Sequence, residues 1–233
     1  MRFLLVLLPF ILAAQTYDVV LQHGRVMDPE SGLDALRSVG INGKKIAAVS
    51  PSVLRGKVEI DAAGLVVAPG FIDPHQHSQT PEAYGFKAMD GVTTALELEV
   101  GAYPVSDWYA ARQGKSLIHF GASSGHIAAR MFIMHDTGSL LPRDGAVNRA
   151  ATAQEQRAIE SAVLKGLDEG GLGMGMGIAY PPTASPEEIL SLFYLAARFK
   201  RPVFVHMQDD KNVIQSLPTR CACWTARMRT GWM

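Results

Sequence analysis

The sequence predicts an α/β protein: a short run of antiparallel strands, then strands alternating with helices in the manner of a parallel sheet. Three observations carry this. Residues 17–67 alternate polar and apolar side chains between turn residues and show no helical period. From Val66 onward, apolar β-rich runs and helical stretches alternate through five strands. Hydrophobic residues make up 48% of the 233 and charged residues 19%, which supports a packed core and argues against disorder. A formal net charge of +0 leaves no electrostatic footprint for nucleic acid.

The elements follow in order. Met1-Arg2, an apolar run from Phe3 to Leu12 and the small exit Ala13-Ala14 have the layout of a secretory signal peptide over residues 1–15. This predicts export to the periplasm or the cell exterior, and no membrane span once the leader is removed. Residues 16–65 form the antiparallel β segment, with "PESG" (29–32) and Asn42-Gly43 as turns. "LVVAPGFIDPHQH" (65–77) opens the alternating region as an apolar strand. A short helix follows, entered by Thr80-Pro81 and followed by Gly91. "VTTALELEV" (92–100) is the second strand, "PVSDWYAARQGK" (104–115) a helix, and "SLIHFGASSGH" (116–126) a third strand running into a loop. The helix in 152–171 has Thr152 as its cap, Glu155 completing a capping box and Gly170-Gly171 at its close. The glycines of "LGMGMGIAY" (172–180), the fourth strand, predict close backbone approach. Ser185 caps the next helix, and "RPVFVHMQ" (201–208) is the fifth strand. Helical crossovers imply parallel strands, either as an open doubly wound sheet or as part of a (β/α)8 barrel. A full barrel takes ~250 residues, more than the chain offers after Val66.

The chemistry sits at the carboxyl ends of these strands. His75 and His77, spaced i and i+2, fall on one face at the end of the first. Glu97 and Glu99 share a face of the second, where burial demands a cation or donor for each. His206 ends the fifth. Imidazole, carboxylate and imidazole at three strand ends read as a metal cluster. His23, His119 and His135 read as surface or satisfied histidines.

"APGFIDPHQH" (68–77) resembles the first-strand signature of the amidohydrolase superfamily, and "DGVTTALELEVG" (90–101) its second strand. "GLDEGGLGMGMGIAYPP" (166–182) resembles the fourth-strand region of the N-acyl-D-amino-acid deacylase branch. The resemblance covers roughly residues 17–216. It implies the first part of a metal-dependent hydrolase (β/α)8 TIM barrel over 66–216, about five strands of it, preceded by a small β-sandwich segment. It implies zinc held by His75, His77, a second-strand residue and His206. That second-strand residue is often cysteine in the branch; here it is a glutamate, Glu99 by its nearness to the strand end, or else Glu97. Tyr180, His126 and Arg130 match positions near the substrate; the plainer alternative for Arg130 is a pair with Asp136. The implied reaction is deacylation of an N-acyl-D-amino acid by zinc-activated water. Related cyclic-amide or dipeptide hydrolysis, and a zinc-binding remnant without turnover, are the alternatives.

The family's general acid/base aspartate belongs to strand eight, so this sequence assigns none. "LPTRCACWTARMRTGWM" (217–233) has basic but no acidic side chains and neither strand nor helix period. It reads as an aberrant tail on a truncated chain, which is expected to be inactive alone. Its Cys221 and Cys223 are too close in sequence for an easy disulfide.

Overall fold

The computed structural model describes residues 16–77 and 79–207. The expected leader, the Cys221/Cys223 pair and the tail over 217–233 lie outside the described residues. The chain divides into two compact units, one up to Pro69 and one from Gly70. Among the described residues no helix is long and apolar enough to cross a membrane.

In the first unit, β1 (Thr16–Asp28), β2 (Leu33–Asn42), β3 (Lys45–Ser50) and β4 (Arg55–Asp61) lie in the order β3-β2-β1-β4, and β5 (Val66–Val67) also pairs with β1. The β1–β2 and β2–β3 pairs are antiparallel. The second is joined by the Asn42-Gly43 turn, with Gly43 at φ 57°. The expectation of an all-antiparallel segment is corrected: β4 and β5 run parallel to β1. The cause lies in the link over 51–54, which closes no hairpin. Its Leu54 carbonyl accepts from the buried Gln22 amide at 2.6 Å, and the chain re-enters the sheet beside β1. The apolar run over 65–77 is also two strands rather than one. Val66 and Val67 pair with Arg25 and Val26 of β1, and Pro69, which has no N–H to donate, follows.

The second unit holds β6 (Phe71–Asp73), α1 (Pro81–Met89), β7 (Val92–Ala102), α2 (Val105–Arg112), β8 (His119–Gly125), α3 (His126–Ile133), α4 (Gly145–Asn148), α5 (Ala153–Asp168), β9 (Met174–Gly177), α6 (Pro186–Arg198) and β10 (Val203–His206). The sheet order is β10-β9-β8-β7-β6, every pair parallel. A doubly wound sheet reverses its order at a switch point. Here each new strand adds beside the last, which is the winding of a (β/α)8 barrel, and the sheet curls as half of one.

Side-chain caps start three of the helices. Thr80 accepts from the Ala83 N–H, Ser185 from the Glu188 N–H, and Thr152 forms a reciprocal capping box with Glu155. Ile159, Val163 and Leu167 of α5 and Leu192 and Ala196 of α6 close over Met174 and Met176 of β9. Burial of each of the larger side chains among these contributes about 1.5–3 kcal/mol. A Cβ on Gly175 would stand 2.6 Å from the Leu98 carbonyl and 2.8 Å from that of Glu99, so glycine lets β9 sit close to β7. One helix departs from expectation: "HIAARMFI" is α3, entered directly from β8, where a loop is expected.

Candidate metal centre

β6 ends at Asp73, and Pro74 turns the chain so that the next residues run along β7. His75 bridges Glu97 there, and the Gln76 N–H donates to the Leu96 carbonyl at 2.9 Å. Asp73 fixes this turn by accepting the His75 N–H at 3.1 Å and Lys87 Nζ at 2.6 Å. Burial opposes its charge, but Lys87 and the His75 N–H hold its carboxyl below the ordinary range. Asp73 is a supporting residue that motif reading passed over.

The two imidazoles converge. His75 Nε2 and His77 Nε2 lie 3.0 Å apart, with the rings edge to face. Glu99 Oε2 is 3.2 Å from the first and 3.4 Å from the second. One donor atom from each of His75, His77 and Glu99 lies within 4.8 Å of the others. His206 reaches this group from β10: its Nδ1 is 3.3 Å from Glu99 Oε1. The Tyr180 hydroxyl lies 3.2 Å from the same nitrogen.

The glutamates of β7 divide the work. Glu97 faces His77 Nδ1 at 2.8 and 3.0 Å. That contact places a proton on Nδ1 and leaves the Nε2 lone pair turned toward Glu99. Burial pushes the Glu97 carboxyl up, and His77 offsets this only in part. Glu99 is 7% exposed, yet neither of its oxygens has a hydrogen-bond partner. Among the described residues no lysine or arginine lies within 4 Å of either glutamate. A buried carboxylate without donors, ringed by imidazole nitrogens, fits a divalent cation of the zinc type. Space for it is set by Gly177, where a Cβ would stand 2.9 Å from Glu99 Oε1.

The structure places His126 and Arg130 elsewhere. Both are 0% exposed and both bind Glu188 of α6: His126 Nε2 at 2.8 Å and Arg130 Nη1 at 2.6 Å to Oε1. Arg130 also donates to the carbonyls of Ala146 and Arg149. In this cluster His126 Nδ1 is buried and has no hydrogen-bond partner. Arg130 does not pair with Asp136, whose carboxylate instead accepts the backbone N–H groups of Gly138, Arg143, Asp144 and Ala146. Glu188 lies 58 residues from Arg130, so no local pattern announces the pair. His23 is exposed and lies 3.1 Å from Asp61.

Comparison with known proteins gives a family match and several relatives. Residues 58–124 match the profile of the Amidohydrolase family. The chain is similar to a D-aminoacylase of Alcaligenes xylosoxydans xylosoxydans, 27% identical over 243 residues, covering 88% of this chain and 47% of that protein. It is similar in structure to a D-aminoacylase studied for the functional role of its binuclear metal centre (TM-score 0.76, 25% identity, 90% of this chain and 49% of the other). It shares its fold with the Bordetella bronchiseptica N-acyl-D-glutamate deacylase complexed with zinc and a phosphonate inhibitor (TM-score 0.73, 23% identity, 93% and 50%). The chain thus spans about half the length of these relatives.

Proposed function

We propose that this chain, carrying an amidohydrolase-family segment at residues 58–124, holds the zinc site of a hydrolase that cleaves linear amide C–N bonds, with N-acyl-D-amino acids as the substrate class. The observation that carries the reading is Glu99. Both of its oxygens are buried without a hydrogen-bond partner, and His75, His77 and His206 point nitrogens at them. The likeness to D-aminoacylase over most of the chain supports the substrate class.

His75, His77, Glu99 and His206 would hold the ion. When bound, zinc supplies Lewis acidity toward an amide carbonyl and lowers the pKa of water toward ~7. The protein's own residues do the rest of what this chain contributes. Glu97 keeps the His77 proton on Nδ1 and so keeps Nε2 available to the site. Asp73 holds the backbone of His75 in place. Tyr180, half-buried beside His206, offers a hydroxyl donor to a substrate carbonyl or carboxylate.

The test is a zinc titration followed by an assay on a panel of N-acyl-D-amino acids, their L-forms and hydantoins. The reading expects zinc binding without turnover from this chain alone, and zinc-dependent release of free amino acid from the D-series by a protein that carries this segment at the full length of the relatives. Turnover confined to hydantoins assigns the site to cyclic amides, and turnover unaffected by chelator removes zinc from the account.

A further inference from the structure

A cavity of about 440 Å³ lies beside α2 and shares Glu97 with the metal centre. Tyr103, Trp108, Met131 and Leu140 give it apolar walls, and Glu97 and Arg112 also line it. Its size falls in the range of small-molecule pockets, roughly 300–1,000 Å³. Glu97 is already committed to His77. Arg112 is not committed to any anion. Its guanidinium carbon lies 3.8 Å over the Trp108 ring, and Nη1 donates to the Trp108 carbonyl at 3.0 Å. Nε is buried without a partner. Arg25, Arg130 and Arg149 each face a carboxylate. Among the described residues none lies within 4 Å of Arg112, although Asp107 lines the same cavity. A guanidinium already stacked on an indole loses little freedom on pairing, and its fork suits a carboxylate.

We propose that this cavity binds a small monocarboxylate with an apolar body, the carboxylate on Arg112 and the body against Trp108, Tyr103 and Met131. The site does not depend on the metal. Only the choice of probe rests on the function proposed above, because cleaving an amide releases a carboxylic acid.

Of the three tryptophans, Trp108 lies in the cavity and the others are Trp224 and Trp232. The experiment uses the full chain carrying W224F and W232F, kept in chelator, so that Trp108 alone emits. Its fluorescence is titrated with benzoate, hexanoate and, as the cationic control, hexylamine. The two acids are expected to give a saturable change and hexylamine none. Arg112→Gln is expected to weaken the acids roughly tenfold or more, and Arg112→Lys by less. The lysine variant keeps the charge, so it reports even where the glutamine variant folds poorly. A flat response to both acids, equal binding of hexylamine, or unchanged affinity in both variants overturns the proposal. Because chelator is present throughout, these outcomes are independent of whether the zinc site stands.

Discussion

Replacing Glu188 by glutamine keeps its shape and deletes its charge. In the native fold that charge sits between His126 and Arg130, with side chains 2%, 0% and 0% exposed. The substitution leaves the Arg130 cation buried without its carboxylate. Breaking a buried pair by removing one partner costs about 3–5 kcal/mol. Arg130 keeps its bonds to the Ala146 and Arg149 carbonyls, which places the expected cost at the lower end, about 3 kcal/mol. For a chain of this size that lowers Tm by roughly 6–12 °C. The pH dependence has a definite sign. Burial works against the Glu188 charge, but His126 and Arg130 outweigh it and hold the carboxyl below its ordinary range. A lowered folded pKa gives stability that is present above the unfolded value and is lost as pH falls through the folded one. Melting followed by circular dichroism from neutral to acid pH should therefore show wild type falling toward the variant as the medium acidifies. The pair Arg130→Met with Glu188→Met, which removes both charges, should lose less than Glu188→Gln alone. A Glu188→Gln protein within about 1 kcal/mol of wild type, with the same acid profile, would refute the account of this cluster.

Other perturbations reach other parts of the account. Glu97→Gln should weaken zinc binding by roughly 10–100-fold while the protein stays folded, because His77 loses its orienting carboxylate; competition with a chromophoric chelator measures it. Gly177→Ala places a Cβ 2.9 Å from Glu99 Oε1 and 2.7 Å from the Tyr180 ring. It should cost about 1–3 kcal/mol in a melt and lower zinc affinity, and unchanged zinc affinity would show that Gly177 does not shape the site. Thr152→Ala removes half of the α5 capping box and should cost about 1 kcal/mol in a urea titration, with no effect on zinc. Glu155, held down to about 2 by Arg149 and the Thr152 N–H, should keep its chemical shift constant through the ordinary carboxylate range and move only near that value.

Much of this is legible in the chain because it is local. Thr152 with Glu155, and Ser185 before Pro186, announce their helices within four residues, and the structure forms both caps. His75 and His77 do converge, but not as neighbours on one strand face: β6 ends at Asp73, and the turn at Pro74 brings both to Glu99. What escapes is what distant residues decide. The "GHIAAR" stretch (125–130) reads as a loop after the third strand. Here Ser123 donates to the Leu98 carbonyl and Ser124 to that of Val163, so small polar side chains are buried on a strand that runs straight into α3. β4 pairs parallel to β1, and Gln22 of β1 holds the Leu54 carbonyl beside it from 32 residues away. Glu97 and Glu99 are equivalent by periodicity. Only the position of the His77 ring sends one to Nδ1 and leaves the other facing Nε2. His126 and Arg130 carry the same lesson, since Glu188 closes over them from another helix.

The central claim is that His75, His77 and Glu99 gather to hold one ion. Its most direct test is calorimetric titration of chelator-treated protein with zinc, run on wild type, His75→Ala, His77→Ala and Glu99→Gln, and on His119→Ala as a histidine outside the cluster. The account predicts saturable binding to wild type and His119→Ala, and loss of that binding in the other three. Zinc bound equally by all five, or by none, would contradict it.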